Sequence, residues 1–353
     1  MDYRIIEGDC IEGMRRLEGQ SVNCVVTSPP YFGLRDYGHD GQIGLEASPE
    51  EFVAKLVEVF REVRRVLRDD GTVWLNLGDS YAGSWGNAGG HNRGNGTQRE
   101  ITVGSVVKDQ AERNGDFVPP AANGYAELGI KKKDLIGIPW RVAFALQADG
   151  WYLRQDIIWH KPNPMPESVT DRCTKAHEYL FMLSKSHRYH YDSDAIKEPS
   201  VTQLSAPDAN GSTLSGGAYG RHTLGEAIPE KDRRTDKQRG HGRRHAGFNE
   251  RWDGMTKQEQ GAMGRNKRSV WTVATRPYEG AHFAVFPPAL IRPCILAGCP
   301  VGGTVLDPFG GSGTTAQVAI EDGREAILCE LNPKYIPLIH QRMNGLQLRM
   351  PAA

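Results

Sequence analysis

Apolar residues recur at helical spacing over residues 49–67, and a short apolar run lies on each side of that stretch. The helical positions are Phe52, Leu56, Val59, Phe60, Val63 and Leu67, which return to one face of an α-helix every three or four residues. Pro49-Glu50-Glu51 suits the first turn of a helix, and Asp70-Gly71 suits a turn after it. The flanking runs, 24–26 and 72–77, predict strands. This part of the chain therefore predicts a β-α-β unit.

Strands and helices alternate in the same way in two further stretches, residues 131–196 and 269–345. Their predicted elements are a helix over 135–147, strands over 152–159 and 178–183, a helix over 288–297, a strand over 304–306, a helix that runs through Val318 and a strand over 326–328. Strands that alternate with helices are typical of a doubly wound α/β fold with a mostly parallel sheet. Residues 83–130 and 197–268 have no periodic pattern, which is typical of functional or disordered loops.

The charge of the chain is balanced overall but concentrated locally. The 353 residues include 43 Lys and Arg against 43 Asp and Glu, which argues against a uniformly basic nucleic-acid binder. Residues 231–251 nevertheless carry eight basic and three acidic side chains. This segment predicts a surface that faces a polyanion, although a solvated linker would have the same composition.

Composition also bears on the cellular setting. No run approaches the ~18 continuous apolar residues that a membrane helix needs, and the first residues have neither a basic leader nor an apolar run that would predict a secretory signal. The six cysteines are scattered without a second pair or a His couple to complete a zinc site. We expect a cytoplasmic protein with reduced, mostly buried thiols, no bound metal and no membrane partner.

A glycine-rich motif follows the predicted strand 304–306 and precedes a predicted helix. It reads Asp307-Pro308-Phe309-Gly310-Gly311-Ser312-Gly313-Thr314-Thr315. No Lys follows its glycines, so it is not a phosphate-binding P-loop, and its spacing departs from the dinucleotide fingerprint. Glu330 ends the next predicted strand, 23 residues after Asp307, where a carboxylate can accept both hydroxyls of a ribose. The motif predicts a site for a nucleoside-containing cofactor.

A second motif, Ser28-Pro29-Pro30-Tyr31, directly follows the predicted strand at 24–26. Two successive prolines stiffen the backbone and donate no N–H, so the backbone there offers only acceptors. The Ser28 hydroxyl and the Pro29 carbonyl can both accept from one NH₂ group, and Tyr31 supplies a flat ring on which a base can stack. Alone, such a motif would more often be a turn that caps a strand.

Taken together, the two motifs resemble those of the S-adenosylmethionine-dependent DNA amino-methyltransferases, in the permuted β arrangement in which the catalytic motif precedes the cofactor motif. The similarity extends to Gly8-Asp9, to Trp159-His160-Lys161-Pro162 and to His177-Glu178-Tyr179. The resemblance implies a circularly permuted, mostly parallel sheet of seven strands with an inserted DNA-recognition region, and a flipped base as the acceptor.

The resemblance also implies roles for individual residues and regions. Around S-adenosylmethionine it places Asp9, Cys10, Phe283, Phe286, Asp307, Pro308, Phe309, Gly311, Gly313, Thr314, Thr315 and Glu330. Catalysis would fall to Ser28, Pro29, Pro30 and Tyr31, and DNA binding to Arg233, Arg234, Arg239, Arg243 and Arg244. The expected regions are 1–82 and 131–196 for the catalytic half, 83–130 for a loop insertion, 197–268 for target recognition and 269–353 for the cofactor half. Duplex DNA is the expected partner, and the resemblance allows for a cognate restriction endonuclease and a homodimer.

Several alternatives were weighed against this interpretation. Cys294 follows Pro293 as a cytosine-C5 nucleophile would, but it lies inside a predicted helix, where a thiol usually packs in the core. The histidines at 160, 177, 187 and 190 lack ligand spacing on one helix face. A protein-glutamine methyltransferase would have Asn before the prolines and the opposite motif order. An RNA methyltransferase stays open, because a basic segment binds either polymer. A non-catalytic DNA-binding protein would require the two motifs to be vestigial, and the intact motifs at 28–31 and 307–315 argue against that.

The identity of the methylated base is also open. By the same resemblance, Ser before Pro-Pro-Tyr is more often found with cytosine-N4 methylation and Asp with adenine-N6 methylation. Ser28 therefore favours cytosine, with adenine as the alternative.

Overall fold

The structure is a computed structural model that describes residues 2–33, 39, 41–82, 129–199, 264–275 and 286–347. The chain divides into two units, Met1–Ala195 with Arg268–Ala353, and Ile196–Lys267. In the second unit, Glu198 and Arg265 exchange two backbone hydrogen bonds of 2.9 and 2.8 Å and form an ion pair of 3.3 Å. All elements named below belong to the first unit.

The described part of the first unit has eight strands and six α-helices. The strands are β1 (Tyr3–Glu7), β2 (Val22–Thr27), β3 (Leu67–Leu77), β4 (Tyr152–His160), β5 (His177–Ser184), β6 (Val270–Thr272), β7 (Thr304–Asp307) and β8 (Glu325–Glu330). The helices are α1 (Cys10–Arg15), α2 (Pro49–Val66), α3 (Ile138–Ala148), α4 (Pro288–Gly298), α5 (Thr314–Glu321) and α6 (Ile336–Gln347).

The strands form one sheet in the order β1-β8-β7-β2-β3-β5-β4-β6. The pairings from β1 through β3 are parallel, β5 is antiparallel to both of its neighbours, and β6 is parallel to β4. The predicted α/β class with a mostly parallel sheet is confirmed. The count of seven strands that the resemblance implied is wrong, since the described residues form eight. Six of them were predicted from periodic patterns, and the other two are the edge strands β1 and β6. Circular permutation stays a prediction.

Helices cover both faces of the sheet. Helix α2 contacts both α1 and α3, while α4 contacts β2 and β3, and α5 contacts both α4 and α6. Side chains alternate between the two layers along β3, as they must in a strand: Val73 and Leu75 join the core beneath α2, and Trp74 lies close to Gly298 at the end of α4. The result is a three-layer α/β/α arrangement, with the parallel strand ends free at one edge.

Helix α2 shows how local sequence sets an element. The Ser48 hydroxyl accepts from the Glu51 N–H at 3.1 Å as the N-cap, and Pro49 occupies the first turn. The predicted turn at Asp70-Gly71 is wrong, because β3 begins at Leu67 and passes through these residues with a bulge opposite β2. Gly71 is needed there, since a Cβ would lie 2.6 Å from Leu67 and 2.9 Å from the Asn23 carbonyl.

Helix α3 begins at Ile138 and not at the predicted Leu135. Gly137 adopts a left-handed conformation (φ 77°) just before it. The Asp79 carboxylate accepts from the N–H groups of Gly137 and Ile138 at 3.0 and 3.1 Å. A distant side chain therefore sets this boundary, where no local capping residue is present.

Several predictions lie outside the described residues. These are Phe283, the five DNA-binding arginines, nearly all of the loop 83–130 and most of the region 197–268. None of the described helices combines the length and apolar character that crossing a bilayer requires.

Candidate active site

A cleft opens where the carboxyl ends of β1, β8, β7 and β2 meet. The space within it, including the part open to solvent, is about 1090 Å³. Eleven residues singled out from the sequence line it: Asp9, Cys10, Ser28, Pro29, Pro30, Tyr31, Phe286, Pro308, Phe309, Gly311 and Glu330. The crevice outside the carboxyl ends of strands is where open α/β sheets bind ligands. Both motifs, which are almost 280 residues apart, thus reach one site.

The glycine-rich loop is shaped by close packing and by unusual backbone angles. A Cβ at Gly310 would lie 2.9 Å from the Cβ of Leu328 on β8. Gly313 has φ 79°, and a Cβ there would lie 2.9 Å from Ile339 of α6. Arg342 of α6 then donates to Ser312 and Thr314 at 3.0 and 2.9 Å. The loop is held from behind, so its cleft side is free to approach a ligand.

Asp307 is a buried link between the two motifs. Its carboxylate accepts from the hydroxyls of Thr27 and Thr315 at 2.6 and 2.7 Å and from the Phe309 N–H at 3.0 Å. Burial raises the pKa of Asp307 to about 6, although these three hydrogen bonds act to lower it. The cleft lining among the described residues includes neither Asp307 nor Gly313, Thr314 and Thr315. These predicted cofactor residues lie behind the cleft wall.

Glu330, in contrast, faces the cleft from the end of β8. Its two carboxylate oxygens accept one backbone N–H each, from Gly311 at 2.7 Å and from Asn332 at 2.8 Å. Burial raises the pKa of Glu330 to about 7, and these two hydrogen bonds oppose that shift. Each oxygen keeps a further lone pair with which it can accept from a hydroxyl group of a ligand.

Asp9 and Cys10 lie where β1 gives way to α1. The Asp9 carboxylate caps that helix by accepting from the N–H groups of Ile11 and Glu12 at 2.9 and 3.0 Å. Burial raises the pKa of the Cys10 thiol to about 12, so the thiol stays neutral at physiological pH. Ile43 and Phe286 add apolar side chains to the lining of the same cleft.

The cleft lining also includes the whole second motif, Ser28, Pro29, Pro30 and Tyr31. They follow Thr27, the last residue of β2, whose hydroxyl is bonded to Asp307. Behind them Gly44 has φ 107°, and a Cβ there would lie 3.1 Å from the Tyr31 carbonyl. The Ser28 hydroxyl has no hydrogen-bonding partner among the described residues, so it is available to a ligand.

The Tyr31 side chain enters a polar network that the motifs did not reveal. Its hydroxyl donates to Glu178 Oε2 at 2.6 Å and lies 3.3 Å from Asn76 Oδ1. Asn76 Nδ2 donates to the same Glu178 oxygen at 3.2 Å, and Lys161 pairs with the other. Glu178 and Lys161 fall in segments that the family similarity covers, which is the one signal that could have drawn attention to them.

Cys294, His160 and His177, which were considered as a nucleophile or as metal ligands, have ordinary structural surroundings. Cys294 is fully buried inside α4, with its Sγ 3.6 Å from the Leu290 carbonyl, which agrees with packing in the core. His160 and His177 pair across the ends of β4 and β5, and His160 Nδ1 lies 3.1 Å from the Thr272 hydroxyl. No cluster of His, Cys, Asp and Glu suited to a metal occurs in the part of the chain that the structure describes.

Comparison with known proteins gives consistent matches. A family model described as DNA methylase matches residues 22–341. The chain is 43% identical over 341 residues to the Type II methyltransferase M.Cfr9I of Citrobacter freundii, covering 97% of this chain and 87% of that protein. It is 42% identical over 344 residues to M.SmaI of Serratia marcescens, covering 96% and 90%. The PvuII DNA methyltransferase (cytosine-N4-specific) superposes with a TM-score of 0.55 at 16% identity, over 97% and 86% of the two chains, which bears on the fold alone.

Proposed function

Because this chain belongs to the DNA methylase family, we propose that it transfers a methyl group from S-adenosylmethionine to the N4 amine of a cytosine in duplex DNA. The resemblance found in the two motifs is confirmed by the family match and by the relatives, and the chain is a DNA amino-methyltransferase. The choice of cytosine is the proposal.

One observation carries the proposal. The same cleft is lined by Ser28 and Pro29, whose hydroxyl and carbonyl oxygens can accept hydrogen bonds, and by the glycine-rich loop with Glu330. A methyl transfer needs the attacking amine and the methyl donor side by side, and holding two reactants in line is the main source of acceleration in such a step. Ser28 and Pro29 can bind the amine that receives the methyl group. The glycine-rich loop and Glu330 can bind the nucleoside-containing methyl donor beside it.

The cleft suits S-adenosylmethionine on the chemistry of its lining. Glu330 offers carboxylate lone pairs for ribose hydroxyls, and its partner Gly311 belongs to the loop that the cofactor would approach. The cleft lining also includes Cys10, Ile43 and Phe286, whose apolar side chains suit an adenine ring. Asp307, Thr314 and Thr315 would act indirectly, by shaping the loop. When bound, the cofactor supplies an electrophilic methyl group.

The chain's own residues would hold the amine. Ser28 Oγ and the Pro29 carbonyl accept its two hydrogens, which favours the pyramidal form whose lone pair can attack. In the transfer the amine nitrogen would form a bond to the methyl carbon as that carbon's bond to sulfur breaks, the neutral thioether would leave, and the proton lost from nitrogen would pass to solvent water. Tyr31 stacks on the base, which must first leave the duplex at a cost of a few kcal/mol.

Ser28 supports cytosine over adenine through the family resemblance of the Ser-Pro-Pro-Tyr motif. We assign recognition of flanking DNA to the region 197–268, whose arginines can contact phosphate or guanine. This region and the five arginines lie mainly outside the described residues, so the assignment rests on their charge.

Nucleoside mass spectrometry tests the proposal directly. The purified enzyme is incubated with S-adenosylmethionine and unmethylated genomic DNA, and the digested nucleosides are analysed. N4-methylcytosine is the expected product. N6-methyladenine as the sole product would overturn the choice of base, 5-methylcytosine would overturn the mechanism, and transfer to RNA in preference to DNA would overturn the substrate.

A further inference from the structure

The ring of Tyr31 is held at its hydroxyl end by a residue from another part of the sheet. Its hydroxyl donates to Glu178 Oε2 at 2.6 Å, and this bond is shorter than the 3.3 Å separation from Asn76 Oδ1. A hydroxyl has a single hydrogen to donate. Glu178 on β5 is therefore its principal acceptor, 147 residues away in sequence.

The carboxylate of Glu178 is itself held by contacts with Lys161 and Asn76. Lys161, at the end of β4, forms an ion pair with its Oε1. The Lys161 ammonium also lies 4.4 Å from the centre of the Trp159 ring. Asn76 donates to Glu178 Oε2 at 3.2 Å and to the Tyr179 carbonyl at 3.0 Å. Because these contacts fix the carboxylate in place, the oxygen that binds Tyr31 has little freedom to move.

The ring of Tyr31 is confined a second time by Gly78. A Cβ on Gly78 would lie 2.4 Å from Cε2 and 2.9 Å from Cδ2 of Tyr31, so only glycine allows the ring its observed place. With one side against Gly78 and its hydroxyl on Glu178, the ring is immobilised while it lines the cleft. Among the described lining residues Tyr31 is present and Glu178 is absent.

Stability alone gives a weak reason for this arrangement. The Lys161 and Glu178 side chains are only 19% and 13% exposed, and withdrawing such charges from water costs about as much as their attraction returns. Apolar residues of the same size would pack as well. This network is costly to bury, and it ends on the aromatic ring of the catalytic motif. Fixing the position of that ring explains the network better than stability does.

We propose that Glu178 is a positioning residue that holds the Tyr31 ring as a preformed stacking surface for the flipped base. The inference rests on the proposed function and adds a part to it. A ring already fixed before the base arrives loses no rotational freedom on stacking, and the base is then held at the angle that in-line attack requires.

The experiment compares substitutions at Glu178 in two backgrounds. Glu178→Ala removes the acceptor, whereas Glu178→Gln keeps an amide oxygen that can still accept from Tyr31. Tyr31→Phe keeps the ring and removes the hydroxyl. Single-turnover transfer of labelled methyl to unmethylated genomic DNA is measured at saturating S-adenosylmethionine. Cofactor affinity by calorimetry and the melting temperature are recorded for every variant.

We expect Glu178→Ala and Tyr31→Phe each to slow methyl transfer by about tenfold, the loss of one well-placed hydrogen bond to a charged group. Glu178→Gln should recover most of that rate, and cofactor affinity should stay within about twofold. In the Tyr31→Phe background, substitution of Glu178 should slow transfer little further, because the effects of substituting two interacting residues are not additive. Glu58→Gln, in an exposed ion pair with Lys55 on α2, is the matched control and should match the wild type.

The outcomes separate the possible failures. If Glu178→Ala slows transfer equally with and without the Tyr31 hydroxyl, Glu178 has a structural role and the inference is wrong. If Tyr31→Phe reacts at the wild-type rate, the hydroxyl positions nothing and the inference is also wrong. If Glu178→Ala does not fold, the same comparison is made with Glu178→Gln, which should retain a measurable dependence on the Tyr31 hydroxyl. Wild-type enzyme that transfers no methyl to DNA would overturn the proposed function instead.

Discussion

The hydroxyl of Thr27 donates a hydrogen bond of 2.6 Å to the carboxylate of Asp307, which lies 280 residues further along the chain. Thr27 ends β2 and directly precedes Ser28, whereas Asp307 ends β7 and directly precedes the glycine-rich loop. Both side chains are buried. One hydrogen bond thus joins the strand end that leads into Ser28–Tyr31 to the strand end that leads into the glycine-rich loop.

Thr27→Val should destabilise the protein and lower its activity. Valine keeps the shape of threonine but leaves a buried carboxylate without one of its donors, a loss of about 1.5–3 kcal/mol in the free energy of unfolding. The loss should be larger at pH 8 than at pH 5, because the Thr27 bond favours the charged form of Asp307, whose pKa is about 6. Urea unfolding at the two pH values measures it.

Thr27→Ser serves as the control, since it keeps the hydroxyl and removes only a methyl group. It should retain most of the pH-dependent part of the stability. Equal destabilisation by Val and Ser at both pH values would mean that packing of the methyl group, and not the bond to Asp307, is what matters at this position.

The raised pKa of Glu330 predicts a pH dependence of stability. Because the folded state holds this proton to about pH 7 and the unfolded state releases it near 4.5, its contribution to stability is full below pH 4.5 and is lost as the pH rises through 7. Between pH 5 and 8 the wild type should lose about 2 kcal/mol more than Glu330→Gln, which cannot titrate. Parallel pH profiles for the two proteins would contradict the assignment.

Glu330 should also govern cofactor affinity. Glu330→Ala removes the charge-assisted hydrogen bonds to the ribose and should weaken binding of S-adenosylmethionine by roughly 1.5–3 kcal/mol at pH 8. In the wild type, lowering the pH from 8 to 6 should weaken binding roughly tenfold as the carboxylate is protonated. The alanine variant corrects for titration of the ligand itself. If calorimetry finds that Glu330→Ala binds S-adenosylmethionine with unchanged affinity, Glu330 does not bind the ribose.

Ser28→Ala should lower turnover much more than cofactor affinity. The Ser28 hydroxyl binds the amine in the proposed mechanism, whereas the glycine-rich loop and Glu330 are untouched by the change. Single-turnover rates and calorimetry on the same preparation give both quantities. If Ser28→Ala reacts at the normal rate but binds S-adenosylmethionine more weakly, Ser28 contacts the cofactor and not the amine.

The basic segment should control DNA binding but not cofactor binding. Neutralising Arg233, Arg234, Arg243 and Arg244 together should weaken DNA binding and flatten its salt dependence, because each phosphate contact releases condensed counterion. Fluorescence anisotropy over a range of salt concentrations measures this slope. An unaltered slope would make the segment a linker and place DNA recognition elsewhere.

The amino-acid sequence by itself determined the α/β class, the place of the two motifs and both ends of helices α2 and α4 to within one residue. Helix α2 was predicted from residue 49, where it begins, because its apolar spacing and its Pro-Glu-Glu start are local signals. The family resemblance of the glycine-rich motif and of Glu330 implied that Pro308, Phe309, Gly311 and Glu330 lie at the cofactor site, and all four line the cleft. Each of these predictions depends on residues close together in the chain.

Only the tertiary structure decided which of the predicted residues face the cleft. Asp307 belongs to the motif by sequence, but its oxygens are taken by Thr27, Thr315 and the Phe309 N–H. The Tyr31 hydroxyl meets Glu178 because β3 and β5 pair antiparallel, which brings Leu77 opposite Tyr179. Edge strands β1 and β6 likewise exist through pairing with distant partners. Local propensity and periodicity act over a few residues, whereas hydrogen bonds and burial depend on distance in space, and only the folded chain sets those distances.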